Sequence, residues 1–226
     1  MLGFERIESL DVSDYEGATI VHDLNTPLPK DLHEQFDLVL DGGTLEHVFN
    51  FPVALKSAME MVKVGGSLII IDGMNNLCGH GFYQFSPELF YRALSIENGF
   101  EVKRMYVPAN GTAYKVVDPI QVHGRVQLVN CKPVEVMVDA QRTHSADIFA
   151  VAPQQSDYVT TWSAAIQGVQ ADGRLKARLR RYLRKDQVAR ISNFLNHLRQ
   201  RRAVRRFYRT SRLSNRRLYR PVKGWG

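Results

Sequence analysis

Cysteines, long apolar runs and a secretory signal are what this sequence has little of or lacks. Cys78 and Cys131 are the two cysteines among 226 residues, and they do not show a metal-ligand spacing. We therefore predict no metal site, reduced thiols and a cytoplasmic protein. The longest apolar runs, such as SLIII at 67–71, fall far short of the roughly 20 residues that cross a bilayer. The first residues lack the basic-then-apolar pattern of a secretory signal.

The charged residues are distributed unevenly along the chain. The net charge is +7, yet 19 of the 30 lysines and arginines lie in residues 174–226, whereas 22 of the 23 acids lie in residues 1–173. An acidic body therefore precedes a strongly basic tail. The apolar content of 44% is ordinary for a protein that buries a core.

The body reads as strands that alternate with helices. Apolar or alternating segments predict strands at 6–12, 18–24, 36–41, 67–72, 100–107, 133–140 and 146–152. Helical segments of about a dozen residues lie between several of these strands. This order favours βαβ units and an α/β fold with a mostly parallel sheet. One of the last two strands is expected to pair antiparallel with the strand at 100–107.

Two helices carry clear boundary signals. An apolar stripe of helical period runs through residues 51–62 and is expected to end at Gly65-Gly66. Ser86 and Pro87 have the residue types of an N-cap and a first helical position. This second helix is predicted to reach Asn98, with Gly99 as its stop.

Acidic residues stand at the predicted carboxyl ends of three strands. These residues are Asp11, Asp23 and Asp41. In a parallel sheet these ends share one edge, and ligands bind outside that edge. We interpret the three acids as part of a ligand-binding rim; the alternative is that each caps a local turn.

The rest of the chain divides by composition. The α/β domain spans 1–152, and its segment 108–132 reads as a long connection that either covers the substrate site or is a solvated excursion. Residues 153–173 read as a linker. Leucines at helical spacing predict a basic amphipathic helical segment at 174–209, and residues 210–226 are predicted to be disordered.

Several motifs in this order resemble class I S-adenosylmethionine-dependent methyltransferases. FDLVLDGGTLEHVFN (36–50) is similar to the fourth-strand motif, and AMEMVKVGGSLIII (58–71) to the next helix, its Gly-Gly turn and the fifth strand. SLDVSDYEGA (9–18) and IVHDLN (20–25) resemble the second and third strands with their terminal acids. DVSDYEGA and GHGFYQFSPELFY (79–91) resemble a bacterial subgroup associated with sugar and cell-surface glycan genes.

The resemblance implies S-adenosylmethionine as the cofactor. Asp11 matches the acid that accepts hydrogen bonds from the ribose diol. Asp23 matches the acid that takes the adenine amino group, and Leu24 would supply apolar contact to the ring. The remaining cofactor contacts that it implies are Asp41, Gly42 and Gly43, since glycine permits close backbone approach.

The residues that would act on the methyl acceptor are less clearly marked. His47 is the nearest candidate for a general base, because its pKa when free lies near neutrality; alternatively it packs or caps the helix. His80 and Tyr83 would line the acceptor pocket; alternatively their glycine-flanked turn only packs.

One part of the family pattern is absent. The family begins with a strand and a Gly-x-Gly loop, whereas this chain begins with MLGFERIESLDV, which corresponds to the end of the first helix and the second strand. We therefore expect an N-terminally truncated, Rossmann-like sheet that lacks the first Gly-rich strand and has either a gap or two exposed edges between the second and fourth strands; alternatively, these two strands pair directly and give a reduced fold. Whether such a chain is active stays open.

Two functions follow as hypotheses. The first is a methyltransferase, or a descendant of one, that acts on a small molecule or glycan precursor. The second is a binding protein whose basic segment, residues 174–226, attaches to nucleic acid or to an anionic membrane surface; alternatively this segment packs on the acidic body. The sequence does not indicate the oligomeric state.

Overall fold

The computed structural model of the chain describes Gly3, residues 5–158 and residues 199–224. Its strands are β1 (Leu10–Asp11), β2 (Ile20–Val21), β3 (Phe36–Asp41), β4 (Val62–Asn75), β5 (Phe100–Ala109), β6 (Thr112–Val116), β7 (Val134–Arg142) and β8 (Tyr219–Pro221). Its α-helices include α1 (Phe51–Met61), α2 (Pro87–Ala93) and α3 (Pro119–Val122). Three short 3-10 turns span Lys30–Leu32, Leu45–His47 and Ile96–Asn98, and residues 199–210 are helical.

The main sheet contains six strands in the order β3-β4-β7-β5-β6-β8. β3 and β4 pair in parallel, and β7 lies antiparallel between β4 and β5. β3, β4, β5 and β8 therefore run in one direction, while the hydrogen-bonded neighbours from β4 to β8 are antiparallel. The α/β fold class is confirmed, and so is the antiparallel pairing of the 133–140 segment with the 100–107 segment.

The first two strands form a separate small parallel sheet. β1 pairs with β2 through Leu10 opposite Ile20 and Asp11 opposite Val21. Within the described residues, β3 has a strand neighbour on one side, which is β4. Leu40 of β3 and Val21 of β2 remain 61% and 57% exposed. Among the described residues, the second-strand segment β1 and the fourth-strand segment β3 therefore do not pair directly.

The core forms where α1 and α2 cover the main sheet. Leu55 and Met59 of α1 and Phe90 of α2 are almost completely buried, as are Leu68 and Ile70 of β4. The predicted apolar stripe thus faces the sheet. In the described part of the chain, no helix has the length and apolar character needed to cross a bilayer.

Helix α1 ends earlier than predicted, because β4 begins at Val62 rather than at residue 67. The pairing of β4 with β3 is irregular, since Phe36 lies opposite Val62 and Leu38 opposite Ser67. Gly66 makes this irregularity possible: a Cβ atom there would lie 2.8 Å from the carbonyl oxygen of Asp37. The two glycines therefore lie within β4 at a strand bulge and do not stop α1, which ends at Met61.

Helix α2 begins as predicted. Ser86 accepts a hydrogen bond from the Leu89 backbone N–H, and Pro87 follows it. The α-helix ends at Ala93, and a 3-10 turn then leads to Gly99, which has a φ of 79°. Gly99 therefore stops the segment as expected, although the last turn is not α-helical.

Two predictions about loops are corrected. The segment 146–152 is not a strand, because Phe149 has a φ of 62° and its N–H donates to the Asn98 side chain. Residues 108–132 are not an irregular connection throughout, because β5 turns through Asn110-Gly111 into β6. The pattern of hydrophobic residues alone did not identify the loop at 146–152 or the hairpin within 108–132.

The C-terminal segment also differs from the prediction. Residues 210–226 were predicted to be disordered, yet within their described part, up to residue 224, β8 pairs antiparallel with β6. Leu218 and Tyr219 are buried against the core, which explains why this short segment is ordered. The rest of the predicted linker and helical segment, residues 159–198, lies outside the described residues.

Candidate functional site

The predicted strand-end acids lie at comparable positions in the two sheets. Asp11 ends β1, Asp41 ends β3, and Asp23 follows β2 by two residues. The loops after β2 and β3 are joined, since Asn50 donates its backbone N–H to the Asn25 side chain and its own side-chain amide to the Asn25 carbonyl. These contacts of 2.9 and 3.0 Å join the segment after β2 to the start of α1.

The acids of the small sheet are exposed and form local turns. Asp11 accepts the backbone N–H of Ser13. Asp23 accepts both the backbone and the side-chain N–H of Asn25, and these hydrogen bonds lower the pKa of Asp23. Both carboxylates are therefore accessible, as a ribose or adenine contact requires. Leu24 is half-buried and packs against the core.

Asp41 differs from these two acids because it is buried. Its Oδ1 accepts the Thr44 backbone N–H at 3.0 Å, whereas its Oδ2 has no hydrogen-bond partner among the described residues. Burial raises the pKa of Asp41. Gly42 and Gly43 follow it, and Gly43 has a φ of 100° that favours glycine. A Cβ atom on Gly43 would lie 3.3 Å from Glu46 Oε1, so the close approach is to Glu46.

Asp41, Glu46 and Asp72 form a buried carboxyl cluster. Their exposed fractions are 7%, 3% and 1%. Burial, together with hydrogen bonding to Glu46, raises the pKa of Asp72 to about 10. Asp72 is therefore protonated at neutral pH, and its hydroxyl can donate to a neighbouring carboxylate.

Glu46 and Asp72 were not predicted as site residues. Asp72 ends the β-branched run SLIIID, as Asp41 ends FDLVLD, so the same strand-end signal was present in the sequence. The burial of Glu46 depends on a loop more than thirty residues further along the chain. No local pattern indicates that contact.

This loop brings His80 to Glu46. The backbone N–H groups of Phe82 and Tyr83 both donate to the Glu46 carbonyl, at 2.8 and 3.2 Å. Gly81 permits this approach, because a Cβ atom there would lie 2.7 Å from the same oxygen. His80 Nε2 then lies 3.6 Å from Glu46 Oε1.

His47 and His80, two of the predicted acceptor-site residues, are neighbours. Their ring centroids are 5.1 Å apart, and both side chains are exposed. Tyr83 takes a structural position instead: its hydroxyl donates to the Phe49 carbonyl at 2.7 Å, and its ring contacts those of Phe51 and Phe85.

A cavity of about 390 Å³ lies elsewhere, between α2 and strands β5 and β6. Its lining includes Tyr91, Lys103, Lys115 and Arg220. None of the predicted site residues lines it. The strand-end acids and the cavity are therefore separate features of the molecule.

No family model and no curated protein match the chain. Among solved structures, the antibiotic-resistance methyltransferase Kmr is 15% identical, with a TM-score of 0.34 over 56% of this chain and 62% of Kmr. The branched-chain polyamine synthase of Thermus thermophilus, solved with N4-aminopropylspermidine and 5′-methylthioadenosine, is 13% identical, with a TM-score of 0.36 over 67% of this chain and 49% of the synthase. The chain thus spans less than two thirds of either protein.

Proposed function

We propose that this chain is an S-adenosylmethionine-dependent methyltransferase, or a descendant of one, acting on a small molecule or glycan precursor. The observation that supports this most is the pair of hydrogen bonds between Asn25 and Asn50, which joins the segment after β2 to the segment after β3. In a parallel sheet, ligands bind outside the carboxyl ends of the strands. Asp23 and Asp41 belong to the two segments that these hydrogen bonds join.

The cofactor roles follow from the environment of each side chain. Asp11 would accept hydrogen bonds from the ribose hydroxyls and Asp23 from the adenine amino group, since both carboxylates are exposed. Leu24 would contact the adenine ring. Asp41, with Gly42 and Gly43 behind it, would face the cationic sulfonium end, where negative charge is favourable.

Methyl transfer would take place beside His47 and His80. S-adenosylmethionine would supply an electrophilic methyl group to a nucleophilic atom of the acceptor, and S-adenosylhomocysteine would be the leaving product with the electron pair of the broken sulfur–carbon bond. The reaction depends mainly on alignment. His47 would take the proton that the acceptor loses, while His80 would contact the acceptor and Tyr83 would shape the pocket by its packing.

The same proposal assigns the chain to the cytoplasm. Cys78 and Cys131 are both exposed and unpaired. Exposed cysteine thiols stay reduced in reducing compartments such as the cytoplasm. This observation fits the location but does not depend on the methyltransferase assignment.

Calorimetric titration of the full chain with S-adenosylhomocysteine tests the proposal. We expect micromolar binding, with a loss of at least about tenfold in Asp11→Ala, because the ribose then loses a charged hydrogen-bond acceptor. Asp14→Ala is the matched control, since Asp14 is an exposed acid in the same turn. Absence of binding by a folded chain contradicts the proposal, and equal affinities of Asp11→Ala and the parent contradict the role of Asp11.

A second candidate function is supported by the exposed helix at 199–210. Arginines occupy six of its positions: 199, 201, 202, 205, 206 and 209. These side chains are exposed, and Phe207 and Tyr208 beside them are 40% and 50% exposed. The described helix therefore does not neutralise the body by packing on it. Such a surface suits attachment to nucleic acid or to an anionic membrane.

Binding to heparin and to anionic vesicles over a range of salt concentrations tests this second function. We expect replacement of Arg201, Arg202, Arg205 and Arg206 by glutamine to weaken binding and to flatten its salt dependence. Substitution is preferable to truncation, because β8 follows the helix and belongs to the main sheet. Unchanged binding by the quadruple variant would exclude this surface.

A further inference from the structure

We propose that Glu46, His47 and His80 form a binding site for a divalent transition-metal ion such as Zn²⁺. Each residue offers one donor atom, and the three donor atoms all lie within 4.8 Å of one another. Two imidazoles and one carboxylate are the protein ligands of known catalytic zinc and iron sites. The inference concerns this chain's own side chains and does not depend on methyl transfer.

The spacing of the donor atoms suits a single ion. Glu46 Oε1 and His80 Nε2 are 3.6 Å apart. With bonds of about 2.0–2.2 Å, two donors on one tetrahedral ion lie about 3.4 Å apart. His47 lies alongside, with its ring 5.1 Å from that of His80. Because both histidines are exposed, small side-chain rotations can bring the third donor into place.

The burial of Glu46 is the second observation that points to a cation. Its side chain is 3% exposed, and among the described residues the protonated Asp72 carboxyl is the hydrogen-bond donor available to its Oε2. Asp41 and Asp72 are buried beside it, so three carboxyl groups share this interior. Across residues 5–158 and 199–224, the side chain within ion-pair distance of this cluster is His80. A divalent ion would supply the positive charge that such a cluster otherwise lacks.

Two glycines allow backbone segments on different sides to lie close to Glu46. Gly43 precedes Glu46, and a Cβ atom at that position would press against Oε1 at 3.3 Å. Gly81 allows the His80 loop to rest on the Glu46 carbonyl, which accepts two backbone N–H groups from that loop. The ligand that is hardest to move is therefore fixed by the fold, and the two exposed ligands adapt to it.

Metal binding would change the role of His47. A nitrogen whose lone pair binds a metal cannot accept a proton, so this site and a general-base role exclude each other at that nitrogen. Three protein ligands leave coordination positions for water or for an oxygen of an acceptor. The site would therefore bind oxygen-containing ligands next to the strand ends.

The test is a titration of the chelator-treated full chain with Zn²⁺ by calorimetry, supported by the visible absorption of Co²⁺ as a signature of nitrogen and oxygen ligation. We expect one tight ion per chain. His47→Ala and His80→Ala should each weaken binding at least about tenfold and alter the Co²⁺ spectrum. His144→Ala is the matched control, since His144 is exposed and lies outside the cluster.

The proposal is overturned if the parent chain binds no Zn²⁺, or if both cluster variants keep the parent affinity. It is also overturned if His144→Ala loses as much affinity as His80→Ala, because binding would then be distributed over surface histidines. Glu46→Gln should abolish the tight site, with circular dichroism as the check on folding. The two histidine variants decide the question even if that buried substitution prevents folding. S-adenosylhomocysteine binding is measured on the same samples, and it tests the proposed methyltransferase function rather than the metal site.

Discussion

The two groups of acids at the strand ends have opposite environments. Asp11 and Asp23 in the small sheet are exposed, and their oxygens accept local backbone N–H groups. Asp41, with its neighbours Glu46 and Asp72, is buried, and in the described part of the chain each has an oxygen for which a carboxyl proton of the cluster is the available donor. The first group is already satisfied by solvent and turns, whereas the second group requires a proton or a cation.

This difference indicates which class of ligand each group of acids can bind. Exposed carboxylates accept hydrogen bonds from a neutral diol or amino group with little loss of hydration. Buried carboxyls close together repel one another when ionised, so one of them holds a proton or a positive ion is shared. The exposed acids are therefore assigned to the nucleoside part of the proposed cofactor, and the buried cluster to the proposed cation.

The largest effect should come from breaking the contact that buries Glu46. Gly81→Ala would place a Cβ atom 2.7 Å from the Glu46 carbonyl oxygen, a separation that the backbone can relieve only by moving. We expect a loss of more than about 2 kcal/mol in the free energy of unfolding, measured by urea denaturation. Gly79→Ala in the same loop is the control, because a Cβ atom there meets open space. Equal stabilities for the two variants would show that the loop does not rest on Glu46.

Features of the fold differ in whether their sequence signal is local or depends on residues far apart in the chain. β3 was predicted with its observed bounds, because an apolar run and the following acid and glycines are adjacent in sequence. The N-cap of α2 was predicted from Ser86 and Pro87 for the same reason. Asn110-Gly111 is also a local signal for a two-residue hairpin turn, although it lies in the segment 108–132 that was predicted to be a long connection.

Other features could not be predicted from local sequence. Glu46 is buried by Gly81 and its neighbours, and this contact depends on how the chain returns after β4. β8 is three residues long within an arginine-rich segment, and its order derives from pairing with β6 about one hundred residues earlier. A short strand that lacks an alternating hydrophobic pattern can be recognised only when its partner strand is known.

The next effect in size should come from relieving the buried cluster. In Asp72→Asn, the amide can donate hydrogen bonds to Asp41 and Glu46, and one ionisable group is removed from the interior. We expect the metal-free chain to gain about 1–3 kcal/mol in the free energy of unfolding, because unpaired buried polar groups are unfavourable by that amount. The measurement is the urea midpoint in the presence of a chelator. Asp37→Asn is the control on the neighbouring strand, where the exposed carboxylate pairs with Lys63. A destabilised Asp72→Asn variant would mean that the carboxyl hydroxyl makes a contact that the amide cannot replace.

The smallest effect on folding should come from the exposed acids. Asp11→Ala removes a carboxylate that is exposed and that accepts one hydrogen bond, from the Ser13 backbone. The backbone N–H can then bond to water, so we expect the free energy of unfolding to change by no more than about 0.5 kcal/mol. The same variant is expected to lose affinity for S-adenosylhomocysteine, so stability and binding should separate at this residue. If Asp11→Ala instead destabilises the chain as strongly as Gly81→Ala, then Asp11 holds the small sheet together, and the contrast between an accessible and a buried group of acids does not stand.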